Sequence, residues 1–123
     1  MKINNYKLFL ESNEDINSIC RKYDIINYTI NEDGTVDVDG SVYLYNKGLT
    51  QIPLKFGKIS GPFDCDNNKL TSLEGSPKYV GGYFSCNGNQ LKTLEGGPEI
   101  VIGEYHCNNN QLVNFKGFPE DYV

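Results

Sequence analysis

His106, the only histidine of the chain, stands beside Cys107 in the run Glu104-Tyr105-His106-Cys107. An imidazole next to a thiol is the material of a base and nucleophile pair. The surrounding alternation reads as a short strand, and neighbours in a strand point to opposite faces, so these two side chains cannot meet. Cys107 also closes a series, following Cys65 and Cys86 at intervals of 21 residues. On stacked parallel strands those thiols would form a straight row about 4.8 Å apart. A straight row gives neither the tetrahedral geometry of zinc nor the geometry of a disulfide, so the three read as core residues. Asp37 and Asp39 in DVDG hint at a calcium loop, which needs Gly at position six and Glu at twelve. Counted from Asp37 those positions hold Val42 and Gly48, and from Asp33 they hold Val38 and Leu44. Both registers fail, and no glycine-rich phosphate loop is present. The expectation is a protein without catalytic residues, metal or cofactor, and therefore not an enzyme.

Composition narrows the partners. The chain has 123 residues, a formal net charge of -5 and a single arginine, Arg21. Binding to a nucleic-acid backbone calls for clustered Lys and Arg, so nucleic acid is not expected. No apolar run reaches the ~18–20 residues of a membrane span. The start, MKINNYKLFLESNED, lacks the apolar core and the small-residue cleavage site of a signal peptide. Free cysteines suit a reducing compartment. These features together predict a cytoplasmic protein.

The elements that carry these residues follow from repetition. Gly40, Gly61, Gly82 and Gly103 are spaced by 21, which divides the chain into units 40–60, 61–81, 82–102 and 103–123. Val42, Phe63, Phe84 and Tyr105 share one position; Leu44 and the three cysteines share the next. Leu49, Leu70, Leu91 and Leu112 recur, as do Ile52, Leu73, Leu94 and Phe115. A 21-residue coil cannot bury its own apolar side, but stacked coils bury it against each other, so the pattern predicts a solenoid. Phe63-x-Cys65 alternates as a strand, and Asn68, Asn89 and Asn110 should form a ladder of buried amides that satisfies turn backbone. Gly75 and Pro77, with their repeats, oppose a helix in the return arm, which is expected to be mostly extended.

Phe63-x-Cys65-x-x-Asn68-x-Leu70-x-x-Leu73 resembles the leucine-rich-repeat core, with Cys at its second Leu. The short period and the Pro-bearing arm are similar to the short repeats of bacterial and bacteriophage proteins. The resemblance covers residues 40–123 and departs from the pattern at Lys47. It implies a right-handed leucine-rich-repeat solenoid of short parallel strands. It also implies a non-catalytic scaffold for protein interaction, of the kind a phage protein uses on a host or defence protein within the bacterial host cell.

Residues 1–39 do not repeat. Ser12 or Asn13 can cap a helix whose face holds Ile16, Ile19, Cys20 and Tyr23. YTINEDGTVDV, residues 28–38, reads as a hairpin around Asp33-Gly34. The two read as an N-terminal helix–hairpin cap for the solenoid, with a separate recognition element as the alternative. The remaining candidate is a surface, the inner strand face: Tyr43, Tyr45, Asp64, Asp66, Tyr83, Ser85, Glu104 and His106. Tyrosines anchor interfaces at small entropy cost, and beside carboxylates they suit a partner protein with a basic and apolar patch. The alternative is a self-assembling protein that pairs through its C-terminal coil as a homo-oligomer. There Phe115, Phe118 and Tyr122 either fold over the end or meet another molecule.

Overall fold

The computed structural model describes residues 13–122. A helix, α1, covers 13–22; Asn13 already lies inside it, and Ser12 lies outside the described residues. Cys20 is fully buried, and Ile16, Ile19 and Tyr23 pack partly buried against the core. The expected hairpin follows as β1 (Tyr28–Ile30) and β2 (Val36–Val38), paired antiparallel with Tyr28 opposite Val38. Its turn uses Gly34 at φ 85°, and Asp33 accepts hydrogen bonds from the Thr35 amide and hydroxyl.

From there the chain is a β-solenoid of parallel strands. One sheet is built from β3 (Val42–Tyr43), β5 (Phe63–Asp64), β7 (Phe84–Ser85) and β9 (Tyr105–His106), in that order. Its register advances by one repeat at each step, Val42 to Phe63 to Phe84 to Tyr105. A second sheet runs beside it, formed by β1, β2, β4 (Phe56–Ile59), β6 (Tyr79–Val80) and β8 (Ile100–Val101). The extended return arms were expected; their pairing into a sheet was not. Arms of equal length stacked in one register bring their unpaired backbone groups face to face, and parallel pairing satisfies them. The hairpin joins this second sheet through β2, which pairs parallel with β4 and so occupies the place of a return-arm strand.

The core lies between the sheets and the leucine turns. Phe63 and Phe84 stack with centroids 5.7 Å apart, and the series continues through Tyr105, Phe118 and Tyr122. The repeated glycines have a packing reason. A Cβ at Gly61 would lie 2.8 Å from the Gly40 carbonyl oxygen, and one at Gly103 would lie 2.8 Å from that of Gly82. The corners between sheets therefore stack backbone against backbone, and only Gly fits.

Each turn after the four-stranded sheet is built alike. Asn46, Asn67, Gly88 and Asn109 all adopt positive φ, near 56–67°. Asn89 then donates from Nδ2 to the carbonyls of Cys65 and Cys86, while its Oδ1 accepts from the Leu70 amide. Asn110 repeats this one coil later on Cys86, Cys107 and Leu91, and Asn68 one coil earlier on Leu44 and Cys65. The expected ladder is thus a set of cross-coil clamps. At Lys47 the turn does depart from the others, with a second left-handed residue at Gly48, φ 67°. Among the described residues no helix is long and apolar enough to cross a membrane.

Candidate binding face of the four-stranded sheet

The residues alternating with the buried Phe and Cys positions form rows across the coils. The central row is Tyr43, Asp64, Ser85 and His106, each paired with the next by strand register. Tyr83 and Glu104 lie in the row before it, and Tyr45 and Asp66 in the row after it. All eight side chains expected on this face therefore sit on one sheet surface, and they divide into three neighbourhoods.

At the N-terminal side Tyr43 and Tyr45 stand out, each 47% exposed. Their rings meet edge to face, 6.2 Å apart at 68°. In the middle, Asp64 and Asp66 are half-buried and fixed by neighbours. Asp64 accepts from the Asp66 amide at 3.0 Å and from the Tyr83 hydroxyl at 3.2 Å. Asp66 accepts from the Ser85 hydroxyl at 2.6 Å and the Asn87 amide at 2.8 Å. Burial raises the Asp64 carboxyl above the ordinary Asp value, and the Asp66 charge adds to this against the two hydrogen bonds. Burial also pushes the Tyr83 hydroxyl up to about 12, with the Asp64 charge the next cause. At the far side Glu104 contacts His106 at 3.1 Å, and the His106 ring meets Tyr83 edge to face.

Ser85 differs from its expected outward position. It is on the face but only 3% exposed. Its hydroxyl donates to the Asp66 carboxylate at 2.6 Å. Ser85 therefore supports a carboxylate and does not offer its proton to His106, its neighbour in register. Cys107 lies on the core side of its strand, as alternation requires. Cys65 and Cys86 are buried free thiols whose Sγ atoms donate to the Ser85 and His106 carbonyls at 3.4 and 3.5 Å. Burial pushes all three repeat thiols up, away from the thiolate form that reacts or binds metal. Among the described residues no group of three or more His, Cys, Asp and Glu side chains is placed to hold a metal ion.

The C-terminal aromatics separate. Phe118 packs on Tyr105 at 4.9 Å, and Tyr122 packs on Phe118 while donating to the Gly103 carbonyl at 3.0 Å. These two fold over the core. Phe115 occupies the position where Leu73 and Leu94 are fully buried, yet it is 68% exposed. Sequence reasoning missed Tyr23 and Asp24, which leave the end of α1 beside Tyr43 and Tyr45 and line a hollow with them. The signal available was Asp24 itself, an acidic residue at a helix end. No protein-family model, curated protein or solved structure matches the chain.

Proposed function

We propose that the chain is a non-catalytic protein-binding module of leucine-rich-repeat type, which takes a partner protein on the β3-β5-β7-β9 face. The observation that carries this reading is the pair Asp64 and Asp66. Both carboxylates are held half-buried by Tyr83, Ser85 and backbone amides beside the exposed Tyr43 and Tyr45. Carboxylates fixed in advance lose little freedom on binding, and tyrosines supply large area at low entropy cost. The complementary surface is basic and apolar. The resemblance to bacteriophage repeat proteins makes a bacterial host or defence protein in the cytoplasm the first class of partner to test.

The test compares the natural protein with the double variant Asp64→Lys, Tyr83→Ala after both are shown to fold. A partner captured from bacterial lysate is purified and its affinity measured for each. Loss of at least about tenfold in the variant, with salt dependence in the natural complex, supports the face. Equal affinity for both removes it.

A second reading, self-assembly through the C-terminal coil, rests on the bare Phe115 and on Val113, 75% exposed beside it. A mass that rises with concentration in light scattering and falls to the monomer with Phe115→Lys would favour that reading over the first.

A further inference from the structure

The place where the cap meets the binding face holds a hollow of about 250 Å³, lined by Tyr23, Asp24, Ser41, Tyr43, Tyr45 and Lys47. Three of its six walls are tyrosines. Tyr43 and Tyr45 are set edge to face, so two ring planes bound the space at a steep angle. Tyrosine faces attract cations through the ring quadrupole. Tyr23 already makes such a contact with Lys22, whose Nζ lies 5.5 Å from the ring centroid and which is not a wall of the hollow.

Asp24 is the residue that local stability does not explain. It ends α1 with φ 55°, in the left-handed region that favours Gly. The Ile25 amide reaches back to the Cys20 carbonyl at 2.9 Å and the Asp24 amide to that of Arg21 at 3.3 Å, the bonding pattern that normally carries Gly at this position. A carboxylate there also faces the negative end of the helix dipole. The sequence thus places an acid where both backbone and field disfavour it. A local rule broken in this way marks a site.

We infer that this hollow is the seat of an arginine side chain of the partner protein, its guanidinium lying against the Tyr43 and Tyr45 rings and paired with Asp24. The occupant rests on the binding-face reading above. Arginine fits better than lysine because a planar guanidinium both stacks on rings and pairs with a carboxylate through two donors. Asp64 is the register partner of Tyr43 on the next strand and adds negative charge to the neighbouring face. Lys47, itself a lining residue, opposes a cation in the hollow, which gives the test a sign that a merely structural role would not produce.

The experiment titrates the whole protein with N-acetyl-argininamide and follows the tyrosine ring signals by NMR. The expected result is saturable shifts of the Tyr23, Tyr43 and Tyr45 rings at millimolar probe. The neutral citrulline analogue and the lysinamide probe should each bind at least about threefold more weakly. Asp24→Asn keeps a residue that tolerates the left-handed conformation, so it should weaken the probe at least about fivefold with the unfolding temperature unchanged or raised. Lys47→Gln should tighten it. Unmoved rings, equal binding of the citrulline or lysine probe, or weakening by Lys47→Gln would overturn the seat. The two readings fail separately. If the face variant loses its partner while the probe leaves the rings unmoved, the seat alone is wrong. If the probe binds while the face variant keeps full partner affinity, the seat stands and the wider face does not.

Discussion

At the scale of the residue, the asparagine clamps do more than fill space. Asn89 supplies the acceptor for the buried Leu70 amide and joins the Cys65 and Cys86 carbonyls of successive coils. Those carbonyls keep a second donor, from Asn68 and Asn110, but among the described residues the Leu70 amide has no other hydrogen-bond partner. Asn89→Ala should therefore cost about 2–3 kcal/mol in chemical denaturation, the lost bonds plus one stranded donor. Asn110→Ala should cost about half as much, because Asn110 is half-buried at the last coil and water can reach the groups it leaves. The carboxylates carry a pH signature. Asp64 is raised above 3.8 in the folded chain. Its stabilising contribution is complete below the unfolded value and is lost as pH rises through the folded one. The natural protein should accordingly gain stability relative to Asp64→Asn on acidification through that interval, read as denaturation midpoints across pH. Tyr83 is displaced in the same direction, from 10.0 to about 12. An ultraviolet titration should show a tyrosine step near pH 12, and Tyr83→Phe should remove it.

At the scale of the element, the glycine corners and the left-handed turns answer to different physics. A Cβ at Gly81 would stand 2.2 Å from the Ser60 carbonyl oxygen, which belongs to the backbone of the preceding coil. Nothing flexible can yield there, so Gly81→Ala should cost about 3 kcal/mol. Gly48, at φ 67°, has open space around its Cβ direction. Gly48→Ala meets strain alone and should cost about 1 kcal/mol. Denaturant midpoints at constant slope separate the two. The sequence made the corner glycines Gly40, Gly61, Gly82 and Gly103 visible through their period, but not Gly81, which stands where the neighbouring units have Ser60 and Ile102. It hid the shared left-handed turn, because that position is filled by Asn46, Asn67, Gly88 and Asn109, two residue types for one conformation.

At the scale of the whole molecule, a solenoid is stabilised by neighbours, and among the described residues the coil at 103–122 has a neighbouring coil on one side only. In the inner coils the amides of Phe63, Cys65, Phe84 and Cys86 donate forward to the next coil. The equivalent amides belong to Tyr105, on β9 at the edge of its sheet, and to Cys107 just beyond it. Hydrogen exchange should rank the positions accordingly: Phe84 and Cys86 slow, Tyr105 and Cys107 the fastest of their series. Equal protection across the four coils would mean that another chain covers the edge, which is the outcome the self-assembly reading requires.

The repeat, its period, the inward Phe, Cys and Leu positions, the asparagine ladder, the helix face and the hairpin were all legible before any folding was considered. All of these depend on residue type at fixed spacing, and a regular backbone turns spacing directly into position. So was the set of strand residues that share the candidate face, since alternation assigns each one a side. The pairing of the return arms into a second sheet emerges only from the folded chain, because extended segments reveal nothing of their partners until the coils stack. Folding alone buried Ser85 under its neighbours, turned Phe118 and Tyr122 onto Tyr105 while leaving Phe115 bare, and brought Tyr23 and Asp24 beside Tyr43 and Tyr45. Those outcomes join residues about 20 apart in sequence or at an end where the period stops, and no spacing rule reaches them.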